Sequence, residues 1–154
     1  MGTTADQYTV RQHNTNLILT ILRHQEPLSR AEIAANTGLN RSTVSSIVNE
    51  LIEAQAIKET ELQVERIGRP GMLLQLNPNF GFAIGIDVNV DYISAVVLDY
   101  GYENLWRKTV PVNNPQEQES VLNQALHLTR EAIQFGEGQN MKALGVGIAI
   151  PGLV

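Results

Sequence analysis

Small hydroxyl side chains are concentrated in one segment, GLNRSTVSSIVNEL, which runs from Gly38 to Leu51. On a helix, its apolar side chains share one face: Val44, Ile47, Val48 and Leu51. The opposite face carries small or polar side chains: Ser42, Ser46, Asn49 and Glu53. Ser and Thr are mediocre helix formers, and a surface selected only for stability would carry Glu, Lys and Ala instead. The composition of this face therefore favours contact with a ligand.

DNA is a ligand that suits such a face. Asn can pair with adenine and Arg with guanine, while small hydroxyls allow the helix backbone to come close. The N-terminus of a helix also favours a phosphate. We therefore predict DNA contacts from this helix: Arg41, Ser42, Thr43, Ser45, Ser46 and Asn49. Arg41 and Asn49 should carry most of the base specificity. An ordinary solvated surface is the alternative interpretation.

The residues before this helix predict how it is held. In the sequence SRAE, Ser29 and Glu32 form a capping box that begins a short helix ending at about Asn36. Gly38 stops that helix, and Asn40 is a good N-cap for the next one, which runs to about Ala54. Two helices joined by a tight turn that contains glycine are typical of a helix-turn-helix.

A third helix and a hairpin complete a predicted winged helix. Apolar spacing predicts the first helix over residues 11–24, ended by Pro27. IKETEL and MLLQL are strand candidates on either side of QVERIGRPG, which is rich in turn residues. In this wing tip Arg66 and Arg69 are predicted to enter a narrow minor groove, although two solvated arginines on an ordinary turn are the alternative. Further DNA contacts are predicted at the starts of the first two helices: Arg11, Asn14, Ser29 and Arg30.

Composition limits the other functions. The 154 residues are 43% hydrophobic and include no cysteine, so disulfides and thiolate metal sites are excluded within the chain. The three histidines are scattered, and we predict no metal and no cofactor. There is no apolar signal core and no 18-residue apolar run, so we expect a cytoplasmic protein without a membrane partner. The net charge of −5 does not favour DNA binding, but residues 1–80 hold seven basic and eight acidic side chains and are nearly balanced.

The second half of the chain has a different pattern. Three strands (FAIGIDV, YISAVVLD and LWRKTVPV) are followed by a helix from Pro115 to about Phe135 and by a buried strand, LGVGIAI. The order β-β-β-α-β predicts the opening of a larger α/β domain, so the fold class is α/β overall. We place the linker at Asn77-Pro78-Asn79 and the domains at 1–78 and 79–154. Because the sequence stops directly after a core strand, we expect it to be part of a longer protein.

Several blocks together resemble the ROK family of repressors, open reading frames and sugar kinases. They are Arg11 and Asn14, LSRAEIAANTGLNRSTVSSIVNELIEAQAI, GRPGMLLQLNPNFGFAIGIDV and LGVGIAIPGLV. The resemblance spans nearly the whole chain, and the order of the blocks is its specific part. It implies a winged helix for a double-stranded DNA operator, followed by a sugar-kinase/actin-like (ribonuclease H-like) domain. It further implies a homodimer or higher homo-oligomer and a sugar or sugar-phosphate effector.

The chain departs from the family pattern in two places. In the family's kinases, the strand after the linker ends in an Asp followed by a glycine-rich turn whose N–H groups hold ATP phosphates. The matching segment, Asp87 to Asp91, has no glycine, so we expect no nucleotide site. Pro151 and Gly152 match a loop near the sugar pocket, but the sugar, catalytic and zinc motifs lie beyond residue 154. A sugar kinase with an N-terminal extension and a winged helix that binds protein remain the alternatives to a DNA-binding regulator.

Overall fold

Two units make up the protein, Met1–Asn77 and Pro78–Val154, in a computed structural model that describes residues 4–60, 72–113 and 116–150. The first unit contains three helices: α1 (Thr4–Gln25), α2 (Arg30–Thr37) and α3 (Arg41–Glu53). In its described residues, the second contains a short 3-10 helix at Pro78–Phe80 and one α-helix on a four-stranded sheet. The predicted α/β class, with a helix-turn-helix first, is confirmed.

The first helix is longer than predicted. It begins at Thr4, so Arg11 and Asn14 lie further inside it rather than at its start. Residues 6–13 of α1 are all exposed, whereas Ile18 and Leu22 are completely buried. The apolar spacing on which the prediction depended therefore exists only in the second half of the helix.

The predicted caps are confirmed. The Ser29 backbone N–H donates to Glu32 Oε2 over 2.9 Å, and the Glu32 N–H donates to Ser29 Oγ over 3.3 Å. Gly38 ends α2 in the left-handed region at φ 70°, where a side chain would be strained. Asn40 Oδ1 accepts the N–H of Thr43 over 2.8 Å, which begins α3.

A small antiparallel sheet follows the three helices. Its strands are β1 (Leu28–Ser29), β2 (Ile57–Thr60) and β3 (Leu73–Leu76), in the order β1-β3-β2. Strands β2 and β3 are the two predicted arms of the wing, and β1 is an addition that the sequence did not indicate. The predicted wing tip with Arg66 and Arg69 lies outside the described residues. The Leu74 side chain of β3 is completely buried, as are Ile33 of α2 and Val44 and Val48 of α3.

The second unit confirms the predicted β-β-β-α-β order. Its elements are β4 (Phe82–Val88), β5 (Tyr92–Asp99), β6 (Asn104–Pro111), α4 (Gln118–Gly138) and β7 (Ala143–Ala149). The sheet order is β6-β5-β4-β7, with β7 parallel to β4 and the other pairs antiparallel. Helix α4 thus carries the chain across the sheet to the far side of β4.

One face of this sheet is covered by α4. Phe82, Ile84 and Ile86 of β4 are buried there with Leu128 and Ala132 of α4. Gly136 lies directly against the Phe82 ring, where a Cβ atom would overlap the ring carbons. The helix continues past the predicted end at Phe135, and the absence of a side chain at Gly136 permits this close approach. At the surface, a 2.6 Å hydrogen bond from Lys108 Nζ lowers the pKa of Glu131.

Two apolar expectations for this unit were wrong. Strand β7 was expected to be buried, yet all its residues are exposed, with Val146 at 49% and Ile148 at 66%. It pairs with β4 alone among the described strands, and α4 covers mainly the centre of the sheet. The apolar spacing of the α4 sequence places Leu122 on one side of the helix with Val121 and Leu128, yet Leu122 is 58% exposed. Apolar composition identified the strand and the helix but not which neighbours cover them.

Candidate nucleic-acid interface

The predicted orientation of α3 is confirmed. Val44, Ile47 and Val48 are buried at 0–1% exposure, while Ser46 and Asn49 are exposed. The remaining predicted contact residues of α3 divide into an exposed pair, Arg41 and Ser42, and a half-buried pair, Thr43 and Ser45. The small polar face therefore lies at the surface of the first unit.

The N-terminal turn of α3 has a defined set of donors and acceptors. Ser42 Oγ donates to Asn40 Oδ1 over 2.7 Å, so the Ser42 hydroxyl is oriented and keeps its lone pairs for an incoming donor. Arg41 is exposed and makes no hydrogen bond or ion pair within the described ranges. Its guanidinium is therefore free to reach a base edge or a phosphate.

An arginine from α1 reaches the middle of the same face. Arg11 Nη2 donates to Ser46 Oγ over 3.0 Å and also bonds Glu50 Oε1, while Arg11 Nε donates to Glu50 Oε2 over 3.2 Å. The pair is exposed, with 43% and 57% of the two side chains accessible to solvent. A predicted DNA contact of α1 is thus bonded directly to a predicted DNA contact of α3.

A shallow cavity of about 320 Å³ extends this junction between α1 and α3. It brings together three predicted contact residues, Arg11, Asn14 and Thr43, which the sequence placed on two separate helices. Asn14 is half-buried in its wall. The exposed polar face of α3 is therefore concave on the side where it adjoins α1.

An arginine from α2 reaches the other end of the face. Arg30 Nη1 donates to Asn49 Oδ1 over 2.9 Å, and Arg30 Nη2 lies 3.8 Å from Glu59 Oε1 of β2. The adjacent Ser29 is used differently, since its Oγ donates to Glu32 Oε2 over 2.8 Å inside the capping box. Donation from the Ser29 hydroxyl to a DNA phosphate would break its bond to Glu32 Oε2.

Sequence reasoning did not predict that two carboxylates would pair with arginines of this surface. Glu50 and Glu59 each face an arginine that was predicted to contact DNA. The separation of Arg11 from Glu50 by 39 residues leaves no local signal for such a pair. Glu50 of α3 and Glu59 of β2 are therefore partly neutralised by the basic residues of the face.

The turn after β4 differs from a phosphate-binding loop. The Asn89 N–H donates to Tyr92 O over 2.8 Å, and the Val90 N–H donates to Asn89 Oδ1 over 2.7 Å. Asp87 Oδ2 accepts the Tyr92 hydroxyl over 3.0 Å. Two backbone donors that a phosphate would need are thus already bonded within the turn.

Other kinds of site are not seen in the described residues. No helix there is long and apolar enough to cross a membrane. Within the same ranges, no three His, Asp or Glu side chains are grouped so that they could hold a metal ion. The face built on α3 is the arrangement that brings predicted site residues together.

The fold and this face define a winged helix-turn-helix protein with an α/β unit after the wing. The family model described as the IclR helix-turn-helix domain matches residues 15–60. A solved structure described as a ROK family transcriptional regulator, homolog of the Escherichia coli MLC protein, superposes with a TM-score of 0.71. It is 26% identical, and the match covers 94% of this chain and 37% of that one. Over 94% of its length, this chain is thus similar to a ROK family transcriptional regulator.

Curated relatives include a repressor and a DNA-binding transcriptional regulator. The xylose repressor of Bacillus spizizenii (strain ATCC 23059 / NRRL B-14472 / W23) is 35% identical over 97% of this chain and 39% of its own length. The DNA-binding transcriptional dual regulator NagC of Escherichia coli (strain K12) is 24% identical over 94% of this chain and 36% of its own length. The chain thus spans well under half the length of the curated relatives it matches.

Proposed function

We propose that the protein is a sequence-specific DNA-binding transcriptional repressor of carbohydrate-metabolism genes, acting in the cytoplasm. The observation that carries this proposal is the exposed face of α3, bounded by Arg11 from α1 and Arg30 from α2. Three helices thus supply one continuous surface of donors and small side chains. The names of the relatives, which include repressors, support the same function.

The docking mode follows from the geometry of helix-turn-helix proteins. The N-terminal turn of α3, with Arg41 and Ser42, enters the major groove, and the arginines of α1 and α2 lie toward the phosphates on either side. Arg66 and Arg69 of the wing are proposed to enter the adjacent minor groove. A homodimer or higher oligomer would then bind half-sites separated by about one helical turn or a multiple of it.

An enzymatic role as a sugar kinase is the competing function. The turn from Asp87 to Asp91 argues against it, because two of its N–H groups are bonded internally and its acidic side chains would repel a phosphate. We propose that the α/β unit binds a sugar or sugar-phosphate effector and mediates oligomerisation instead. Calorimetric titration with ATP tests the kinase alternative on the full-length protein, and heat of saturable binding would favour it.

The connection between the units offers a route for regulation. The Asn77 side chain donates to Gln55 O over 2.7 Å, just after α3, and its backbone N–H donates to Ala56 O over 3.0 Å. In the second unit, Pro78 O accepts the N–H of Tyr100 over 3.4 Å. We propose that an effector alters DNA binding through this segment. Lengthening it at 77–79 in the full-length protein should change the effector response, and an unchanged response would disprove the route.

Fluorescence anisotropy with labelled duplex DNA over a salt series tests the proposed function. We expect binding at low salt that weakens as salt rises, because phosphate contacts release counterions. A selected duplex should bind more tightly than a scrambled one of equal length. Absence of binding at low salt would instead favour a winged helix that binds protein.

A further inference from the structure

We propose that Asn49 does not read a base but is a positioning residue that aims Arg30 at a DNA phosphate. This inference rests on the proposed DNA-binding function and changes the role of one side chain in it. Asn49 was predicted from sequence to read adenine from the exposed face of α3. Its contact with Arg30 gives it a different task.

The Asn49 side-chain amide is already engaged by Arg30. To read adenine, an asparagine must accept from the base N6 amino group and donate to N7 with the two ends of one amide. Asn49 Oδ1 already accepts a hydrogen bond from Arg30 Nη1 over 2.9 Å. The guanidinium therefore competes with an adenine N6 amino group for the Asn49 amide oxygen.

Asn49 lies toward the C-terminal end of α3. The helix begins at Arg41, and at a rise of 1.5 Å per residue Asn49 lies roughly 12 Å along its axis. Base edges are contacted mainly by the N-terminal residues of a recognition helix. Asn49 therefore lies where the helix leaves the groove floor and approaches the phosphates.

Arg30 keeps hydrogen-bond donors that Asn49 and Glu59 do not use. The guanidinium has five N–H donors in a fixed plane. Asn49 takes one of them over 2.9 Å, and Glu59 lies 3.8 Å from Nη2 on the other side. The two acceptors hold the plane from α3 and from β2 and leave other donors for a phosphate oxygen. Arg30 is also the first residue of α2, where the helix N-terminus favours the same anion.

The test begins with selection from a pool of duplex DNA that carries 20 randomised base pairs. The wild-type chain, Asn49→Ala, Arg30→Ala and Arg41→Ala each select from this pool. We expect Asn49→Ala and Arg30→Ala to enrich the wild-type motif without relaxed preference at any position. Arg41→Ala is the matched control and should lose preference at one base pair, because Arg41 lies at the groove end of α3.

Affinities for the selected duplex then separate positioning from direct contact. Asn49→Ala should weaken binding about three- to tenfold and lower the slope of log affinity against log salt by about 0.9. In an Arg30→Ala background the same substitution should have no further effect. An equal additional loss in that background would overturn the proposal, as would relaxed preference at one position in Asn49→Ala alone.

Thermal unfolding shows whether Asn49→Ala is folded. A second variant, Asn49→Asp, tests the proposal independently of that result. Asn49→Asp keeps an acceptor for Arg30 but removes the donor needed at adenine N7. We expect it to enrich the wild-type motif, and loss of an adenine preference would overturn the proposal. A wild-type chain that enriches no duplex and shows no salt-dependent binding would reject the proposed function itself, and the role of Asn49 with it. A normal wild-type motif combined with a failed Asn49 result would reject only the present inference.

Discussion

Arg11 of α1 and Glu50 of α3 form a two-point ion pair beside the exposed polar face of α3, and Arg11 also donates to Ser46 Oγ over 3.0 Å. The two side chains are separated by 39 residues and both are exposed. The pair therefore holds a positive group beside the proposed DNA surface and at the same time places a carboxylate there. These two effects on DNA binding have opposite signs.

Glu50→Gln should tighten DNA binding. The substitution removes a negative charge next to the phosphates and frees the Arg11 guanidinium, and we expect a gain of about two- to tenfold at low salt. Anisotropy with a fixed duplex measures the change. Because the ion pair is exposed, its loss should lower the free energy of unfolding by only about 0–1 kcal/mol.

Glu53→Gln is the control for Glu50→Gln. It removes the same charge from the same helix, but Glu53 faces no arginine among the described residues. In an Arg11→Ala background the effect of Glu50→Gln should shrink, while that of Glu53→Gln should remain. Equal effects of both substitutions in both backgrounds would mean that Arg11 does not act at the DNA surface.

Gly38→Ala should destabilise the first unit. Gly38 has φ 70°, and a Cβ there would meet no atom within 4 Å, so the cost is conformational strain alone. We expect a loss of about 1–2 kcal/mol in the free energy of unfolding. Gly38→Asn should cost less, because Asn tolerates this conformation. Urea unfolding of both variants provides the measurement, and an equal loss for Asn and Ala would contradict this explanation.

Gly136→Ala should destabilise the second unit by overpacking. The new methyl group would overlap the Phe82 ring, which is completely buried between β4 and α4. We expect a loss of about 1–3 kcal/mol, measured by thermal or urea unfolding. Phe82→Leu combined with Gly136→Ala should recover part of this loss relative to the sum of the two single changes. Simple additivity would show that the two residues do not meet.

Local features of the sequence predicted much of the fold. The helix caps are local: each capping residue contacts backbone or side-chain atoms only a few positions away. The roles of Ser29, Gly38 and Asn40 as caps therefore follow from the sequence itself. The periodicity of α3 likewise predicted the burial of Val44, Ile47 and Val48, although Leu51 on the same face is only half-buried. Such interactions do not depend on how distant elements pack.

Contacts between distant elements could not be predicted in the same way. The bonds from Arg11 to Ser46 and from Arg30 to Asn49 depend on the packing of α1 and α2 against α3, which no spacing in the sequence encodes. The exposure of Ile148 in β7 depends on which elements cover the edge of the sheet. The exposed face of α3 was therefore predictable, whereas the partners of its side chains were not.

The central claim is that the exposed face of α3 contacts DNA. Ser46→Glu tests it most directly, because Ser46 is at the centre of that face and accepts from Arg11. Thr20→Glu adds the same charge to an exposed hydroxyl of α1 and is the control. Anisotropy with the selected duplex should show binding abolished in Ser46→Glu and retained in Thr20→Glu, with melting temperatures nearly unchanged. Wild-type affinity in a folded Ser46→Glu protein would contradict the claim.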